Sequence, residues 1–175
     1  AISKETGLEF KIQDMAFDGL LPALQTKKVD MVIAGMSATP ERKKAVAFSK
    51  PYFKAKQVVI TKGVDKSLKS FKDLSGKKVG VMLGFTGDTV VSEIKGVKVE
   101  RFNASYAAIL ALSQDKVDVV VLDSEPAKKY TANNKQFIIA SIPAEEEDYA
   151  IAVRKNDKEL LDKINAALDK IKANG

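Results

Sequence analysis

Short apolar runs alternate along the chain with segments in which apolar residues recur at helical spacing. Strands are predicted, from their apolar or alternating pattern, over residues 8–15, 30–36, 56–62, 79–83, 97–102, 118–122, 137–142 and 149–153. Helices are predicted over residues 17–28, 39–47, 86–94, 105–114, 125–132 and a last segment, with Ser105 and Asn156 as expected N-caps. Gly7 is expected to end a short helix at the start of the chain. This alternation predicts an α/β fold with parallel sheets flanked by helices.

A second pattern predicts two lobes. The same pattern occurs twice, over residues 27–33 and 116–121. In both places a predicted helix is followed by lysine, valine and aspartate and then by an apolar strand, and the sequence between the two places is not repeated. We therefore expect two similarly built lobes rather than tandem repeats. The predicted division gives residues 1–59 plus 152–175 to lobe 1 and residues 60–151 to lobe 2, with hinge strands near 56–62 and 148–154.

The composition is that of an ordinary folded domain, with 45% hydrophobic and 30% charged residues among 175. Cysteine and histidine are both absent, which excludes the usual zinc and haem sites and the Ser-His-Asp triad. The sequence therefore argues against an enzyme, and neither a cofactor nor a metal is expected. The net charge of +6 comes from lysines scattered among acidic residues, a pattern that argues against nucleic-acid binding.

The turn over residues 33–42 is the first candidate binding site, because an apolar strand runs there into small and hydroxylated residues. Thr39 is expected to cap a helix that begins at Pro40, and Arg42 follows in its first turn. A guanidinium presents a planar fork of donors that matches a carboxylate, and Ser37 adds a hydroxyl. The segment is equally typical of an ordinary turn in which Arg42 forms a surface ion pair.

Asp123 is the second candidate, at the carboxyl end of the strand predicted over residues 118–122. Ligands of open α/β sheets bind at that edge, and a carboxylate there suits an ammonium group. The alternative interpretation is that Asp123 or Ser124 only caps the helix that follows.

Two further features are weaker signals of a binding site. Thr86 lies between Gly84 and Gly87 at a strand-to-helix junction, where helix amides suit a carboxylate, but the Walker and dinucleotide-binding patterns are both missing. Phe17 is either a ring beneath a ligand's side chain or a core residue beside the leucines that follow it.

Three segments in this order resemble one protein family: MAFDGLLPALQTKKVD (15–30), AGMSATPERKK (34–44) and FSKPYF (48–53). They resemble the polar amino-acid substrate-binding proteins of bacterial ABC transporters, of the glutamine-, arginine- or histidine/lysine-binding type. The resemblance implies a two-lobed periplasmic-binding-protein fold of type II (Venus-flytrap). It also implies a free amino acid bound in the cleft between the lobes and delivered to a membrane permease. The expected location is the periplasm, or the cell exterior as an anchored lipoprotein.

The resemblance also implies ligand-binding residues: Phe17, Gly35, Ser37, Arg42, Phe85, Thr86 and Asp123. Arg42 and Ser37 would hold the α-carboxylate with help from Thr86. Asp123 and the Gly35 carbonyl would hold the α-ammonium group. The ligands implied are arginine, glutamine, lysine or histidine, with the Phe17 ring stacked on the ligand's side chain.

Departures from the family lead to further expectations. Phe85 stands at a position that is usually small or hydroxylated, and Met82 where a polar residue is usual. The family's first strand and its final aromatic-rich helix are missing, so we expect a chain truncated at both ends, with an incomplete lobe 1. We expect such a chain to bind its ligand weakly or not at all, and to form a homodimer through the incomplete lobe.

Two other functions fit the same architecture. One is an enzyme similar to cyclohexadienyl dehydratase, with Glu125 as an acid. The other is the effector domain of a transcription regulator.

Overall fold

The computed structural model describes residues 1–174, which divide into two compact units. Unit 1 comprises Ala1–Lys54 and the residues from Glu147 onward, and unit 2 is Ala55–Glu146. The chain therefore passes between the units at 54–55 and at 146–147, earlier at both places than the predicted boundaries at 59 and 151. A hinge at these connections stays a prediction.

Seven α-helices, two short 3₁₀ helices (Phe17–Gly19 and Phe71–Leu74) and nine strands occur within residues 1–174. The helices are α1 (Ile2–Thr6), α2 (Leu20–Gln25), α3 (Pro40–Ala45), α4 (Thr86–Ser92), α5 (Ser105–Ser113), α6 (Ser124–Asn133) and α7 (Lys158–Ala173). The strands are β1 (Met31–Val32), β2 (Ala47–Phe48), β3 (Phe53–Lys62), β4 (Lys78–Met82), β5 (Lys98–Phe102), β6 (Val119–Asp123), β7 (Phe137–Ile139), β8 (Glu146–Tyr149) and β9 (Ala152–Val153). None of the helices in this part of the chain is long and apolar enough to cross a bilayer.

Unit 1 is built on a short antiparallel sheet in the order β1-β9-β2. Ala152 on one face of β9 packs with Leu24 of α2, whereas Val153 on the other face packs with Ile164 and Leu168 of α7. The parallel arrangement expected from the alternation of elements is therefore wrong for this unit.

The strand predicted over residues 8–15 is also wrong, because this segment has no regular structure and Ile12 is 92% exposed. Alternation of apolar and polar residues favours a strand only where another strand supplies hydrogen bonds. No such pairing occurs here within residues 1–174.

The strand predicted over residues 30–36 shortens to Met31–Val32. The chain bends at Ala34 and Gly35, and Ser37 forms an isolated antiparallel bridge with Tyr149. The bend leaves Ile33 half exposed, so the apolar run is not one continuous buried strand.

Helix ends follow local capping chemistry, with two corrections. Gly7 ends α1 with a φ of 68°, as predicted. The α7 cap is Asp157 rather than Asn156, since the Asp157 side chain accepts a hydrogen bond from the Leu160 amide. Ser105 is the first residue of α5 rather than its cap, and its hydroxyl instead hydrogen-bonds that of Tyr130.

Unit 2 has a mixed sheet in the order β5-β4-β6-β3-β7. Strand β4 is parallel to β5 and β6, as predicted, whereas β3 is antiparallel to β6 and β7. Every residue of β6 is buried. Val120 and Leu122 pack in one core cluster with α5, and Val119 and Val121 pack in the other with α4. The strand is apolar throughout because both of its faces are covered, and its carboxyl end places Asp123.

Candidate functional site

Arg42 lies in the first turn of α3, where its position is fixed locally. Thr39 caps the helix, as predicted, because its hydroxyl accepts a hydrogen bond from the Arg42 amide at 3.3 Å. The guanidinium donates from Nη1 to the Ser37 carbonyl oxygen at 2.9 Å. Its Cζ lies 5.3 Å from the centroid of the Phe17 ring, within the range of a cation–π contact. Phe17 thus supports Arg42 and also packs at the edge of the unit 1 core.

The Ser37 side chain is buried, at 4% exposure for the residue, and donates its hydroxyl hydrogen to the carboxylate of Glu147. A serine hydroxyl has one hydrogen and two acceptor lone pairs. With its hydrogen given to Glu147, the Ser37 oxygen can only accept hydrogen bonds from any further group. The only sequence signal for Glu147 is the acidic run over residues 145–148, and Glu147 is not among the residues predicted from the sequence.

The bend before Ser37 packs closely against Tyr149. A Cβ atom on Gly35 would lie 3.3 Å from Cε2 of the Tyr149 ring, so glycine permits this approach. The Tyr52 hydroxyl donates to the Ala34 carbonyl oxygen at 2.5 Å, and burial raises the pKa of Tyr52. The backbone from Ala34 to Ser37 is thus held by two tyrosines and a carboxylate.

In unit 2, Asp123 ends β6 and is 8% exposed. It occupies the N-cap position of α6, but its side chain does not cap the helix. Its Oδ1 instead accepts a hydrogen bond from Nε2 of Gln57 in β3. The capping interpretation of the Asp123 side chain is therefore wrong. The Ser124 hydroxyl does not act as the cap either. It accepts a hydrogen bond from the Lys56 amide of β3 at 3.4 Å.

Phe85 and Thr86 stand at the start of α4, with Phe85 in the N-cap position. The loop before them is held by Asp88, which is 8% exposed. Its carboxylate accepts from the Gly84 amide at 3.1 Å and from Nε of Arg101 at 3.0 Å. Asp88 thereby fixes the turn that presents Phe85 and Thr86.

Each unit brings part of the predicted set together. In unit 1, Phe17, Ser37 and Arg42 are linked by direct contacts. In unit 2, Gln57 hydrogen-bonds Asp123, and its side-chain amide lies against Gly87 in the first turn of α4. The sequence signal for Gln57 was a glutamine directly before three apolar strand residues. Within residues 1–174, no group of three or more acidic side chains is placed to hold a metal ion.

Comparison with known proteins gives matches along the whole chain. The family model for bacterial extracellular solute-binding proteins, family 3, matches residues 1–175. The arginine-binding extracellular protein ArtP of Bacillus subtilis is 39% identical over 181 residues, covering 100% of this chain and 70% of that protein. An ancestral arginine-binding protein bound to arginine has a TM-score of 0.93 and 45% identity, covering 98% of this chain and 78% of the other. An ancestral arginine-binding protein bound to glutamine has a TM-score of 0.91 and 45% identity, and again covers 98% of this chain and 78% of the other.

Proposed function

Because this chain belongs to family 3 of the bacterial extracellular solute-binding proteins, we propose that it binds a free polar L-amino acid and delivers it to an ABC importer permease. Its fold is the two-lobed type II fold of periplasmic binding proteins. The similar solved structures reported above have this fold and are amino-acid binding proteins. The proposed place of action is the periplasm or the cell exterior. A lipoprotein anchor stays a prediction, as does a homodimer formed through unit 1.

The observation that carries the proposal is the fixed guanidinium of Arg42. Its helix cap, its bond to the Ser37 carbonyl and its contact with Phe17 orient the group before any ligand arrives. A guanidinium oriented in this way matches a carboxylate with little loss of side-chain entropy. We assign the ligand's α-carboxylate to Arg42, with Thr86 as a second donor.

The α-ammonium group requires acceptors, and each unit supplies them. Asp123 supplies a carboxylate at the end of a buried strand. The hydroxyl oxygen of Ser37 is an acceptor because its hydrogen goes to Glu147. We therefore move Ser37 from the carboxylate, where the resemblance placed it, to the ammonium group beside the Gly35 carbonyl.

The proposed ligand is arginine first and glutamine second, with lysine and histidine as further candidates. Arginine and glutamine are the ligands of the two similar ancestral structures. We assign Phe17 and Phe85 to the apolar part of the ligand's side chain. Phe17 already lies against a guanidinium, that of Arg42.

No observation favours an enzyme. Glu125, the candidate acid, forms an ion pair with Lys128 at 2.6 Å, and its side chain is 47% exposed. The relatives reported above are binding proteins. We propose a transport function without catalysis, and the family membership leaves no support for a regulator's effector domain.

Isothermal titration calorimetry of the 175-residue chain with arginine, glutamine, lysine and histidine tests the proposal. We expect heat of binding with arginine, lost in Arg42→Ala, because removing one partner of a buried charge pair costs about 2–5 kcal/mol. Lys43→Ala is the control, since Lys43 is exposed on the same helix. Of the two outcomes expected for a truncated chain, weak binding or none, the proposal requires weak binding. Absence of binding to all four amino acids by the folded protein would therefore contradict it, as would unchanged affinity in Arg42→Ala. The expectation of weak binding would be overturned by micromolar or tighter affinity.

A further inference from the structure

We propose that Gln57 is a positioning residue that holds the carboxylate of Asp123 ready for the ligand's α-ammonium group. The inference rests on the proposed function and adds a residue that does not itself touch the ligand. It draws on three residues of unit 2: Gln57 in β3, Asp123 in β6 and Gly87 in α4.

Gln57 and Asp123 are register partners across the antiparallel pair of β3 and β6. Directly opposed residues of such a pair project their side chains on the same face of the sheet. Nε2 of Gln57 accordingly donates to Oδ1 of Asp123, and the two residues are 5% and 8% exposed. Burying an amide in an apolar strand is costly unless the amide is hydrogen-bonded, and here the carboxylate is its partner.

Gly87 provides the space that the Gln57 amide occupies. A Cβ atom on Gly87 would lie 2.7 Å from Oε1 of Gln57 and 3.1 Å from Cγ1 of Val121. Gly87 does not have a positive φ, so backbone conformation does not require glycine there. The close approach of the Gln57 side chain, together with that of Val121, is the structural reason for a glycine in this helix.

This arrangement orients the carboxylate of Asp123. The last torsion of an aspartate side chain has a broad range, so a hydrogen bond to one oxygen narrows the orientation of the carboxylate. Gln57 holds Oδ1, and we assign the carboxylate oriented in this way to the ammonium group of the ligand. Without the amide, the carboxylate loses the hydrogen bond that orients Oδ1, which lowers affinity for the ligand.

Calorimetric titration with arginine tests the proposal in Gln57→Leu, Gly87→Ala and the double variant. We expect each single variant to lose affinity about ten-fold, the equivalent of one hydrogen bond. The double variant should lose less than the sum of the two single losses, because the added methyl group then has no amide to displace and meets only Val121. Thr61→Val is the matched control, a buried polar residue of β3 bonded to the Gly63 carbonyl, and it should bind arginine normally. Normal arginine affinity in Gln57→Leu, or additive losses in the double variant, would overturn the proposal.

A nuclear magnetic resonance measurement on the ligand-free protein separates this inference from the proposed function. A bond to Asp123 should shift one side-chain amide proton of Gln57 downfield and slow its exchange with water. Both signatures should disappear in Gly87→Ala and in Asp123→Ala but persist in Thr61→Val. If the protein binds none of the amino acids, the proposed function fails while this spectrum still decides the role of Gln57. An amide signal like that of an exposed glutamine refutes the positioning role, whether or not arginine binds.

Discussion

The carboxylate of Glu147 accepts the hydroxyl hydrogen of Ser37, although 110 residues separate the two along the chain. The same two segments are also joined by their backbones, since the Ala38 amide donates to the Asp148 carbonyl oxygen at 3.0 Å. The bend that carries Ser37 toward Arg42 is therefore held by Glu147 and Asp148, which follow the whole of unit 2 along the chain. Within unit 1, a proposed binding residue and the strand β8 form one hydrogen-bonded structure.

This bond predicts coupling between Ser37 and Glu147 in stability. Ser37→Ala and Glu147→Ala should each lower the free energy of unfolding by about 1 kcal/mol, because a buried hydroxyl is bonded to a charged acceptor that is partly exposed to water. The double variant should lose less than the sum of the two losses. Urea unfolding measures the three differences, with Glu145→Ala as a control at an exposed position of the same acidic run. Strictly additive losses would show that the two residues do not interact.

Asp88 is predicted to control the mobility of the turn before α4. Its carboxylate accepts from the Gly84 amide, from Arg101 and from the Ser92 hydroxyl, and Asp88→Asn removes the charge that strengthens these bonds. Hydrogen exchange at the Gly84 amide should become about ten-fold faster, the equivalent of about 1.5 kcal/mol.

Asp118→Asn is the control for that measurement. Asp118 also accepts a bond from a backbone amide, that of Lys78 at 2.7 Å, but it precedes β6 at the opposite end from Asp123. Exchange at Gly84 should therefore be the same in Asp118→Asn as in the unmodified protein. An equal acceleration in both variants would rule out a specific role for Asp88.

Tyr52 gives a prediction for alkaline pH. Burial raises the pKa of its phenol above the ordinary 10.0, so the folded protein keeps a proton that the unfolded chain releases first. The resulting stability is present below pH 10.0 and is lost as the pH rises from there through the folded-state pKa. In Tyr52→Phe, the free energy of unfolding should fall less steeply over that range.

The measurement is urea unfolding at several alkaline pH values, together with an ultraviolet titration of the phenols. Tyr106→Phe is the control, because the Tyr106 residue is 69% exposed. It should leave the alkaline slope unchanged. Equal slopes in Tyr52→Phe and the unmodified protein would contradict the prediction.

Features governed by neighbouring residues could be predicted from the sequence. Thr39 and Pro40 start α3 where their capping chemistry indicates, and Arg42 follows in its first turn. The resemblance to amino-acid-binding proteins is confirmed by the family match, because it rests on several short segments in a fixed order. The roles of the individual ligand-binding residues stay predictions.

Features that depend on distant partners could not be predicted in the same way. Residues 8–15 alternate like a strand, but local alternation does not supply a pairing strand. The antiparallel pairing of β3 with β6 is set by the way the chain connects the two strands, and the residues of neither strand indicate it. Gln57 and Glu147 show their importance only through bonds to Asp123 and Ser37, which lie far away along the chain.

The order of the strands in unit 1 has a consequence for synthesis of the chain. β9 is the central strand of that sheet, and it leaves the ribosome after all the other strands of residues 1–174. Residues 55–146 are complete before β9 exists, so unit 2 can fold first as one continuous segment. Until β9 emerges, β1 and β2 have no central strand to pair with, and the apolar faces that later cover it stay exposed. A nascent chain stalled before Ala152 would therefore carry a folded unit 2 beside a unit 1 that chaperones recognise as unfolded.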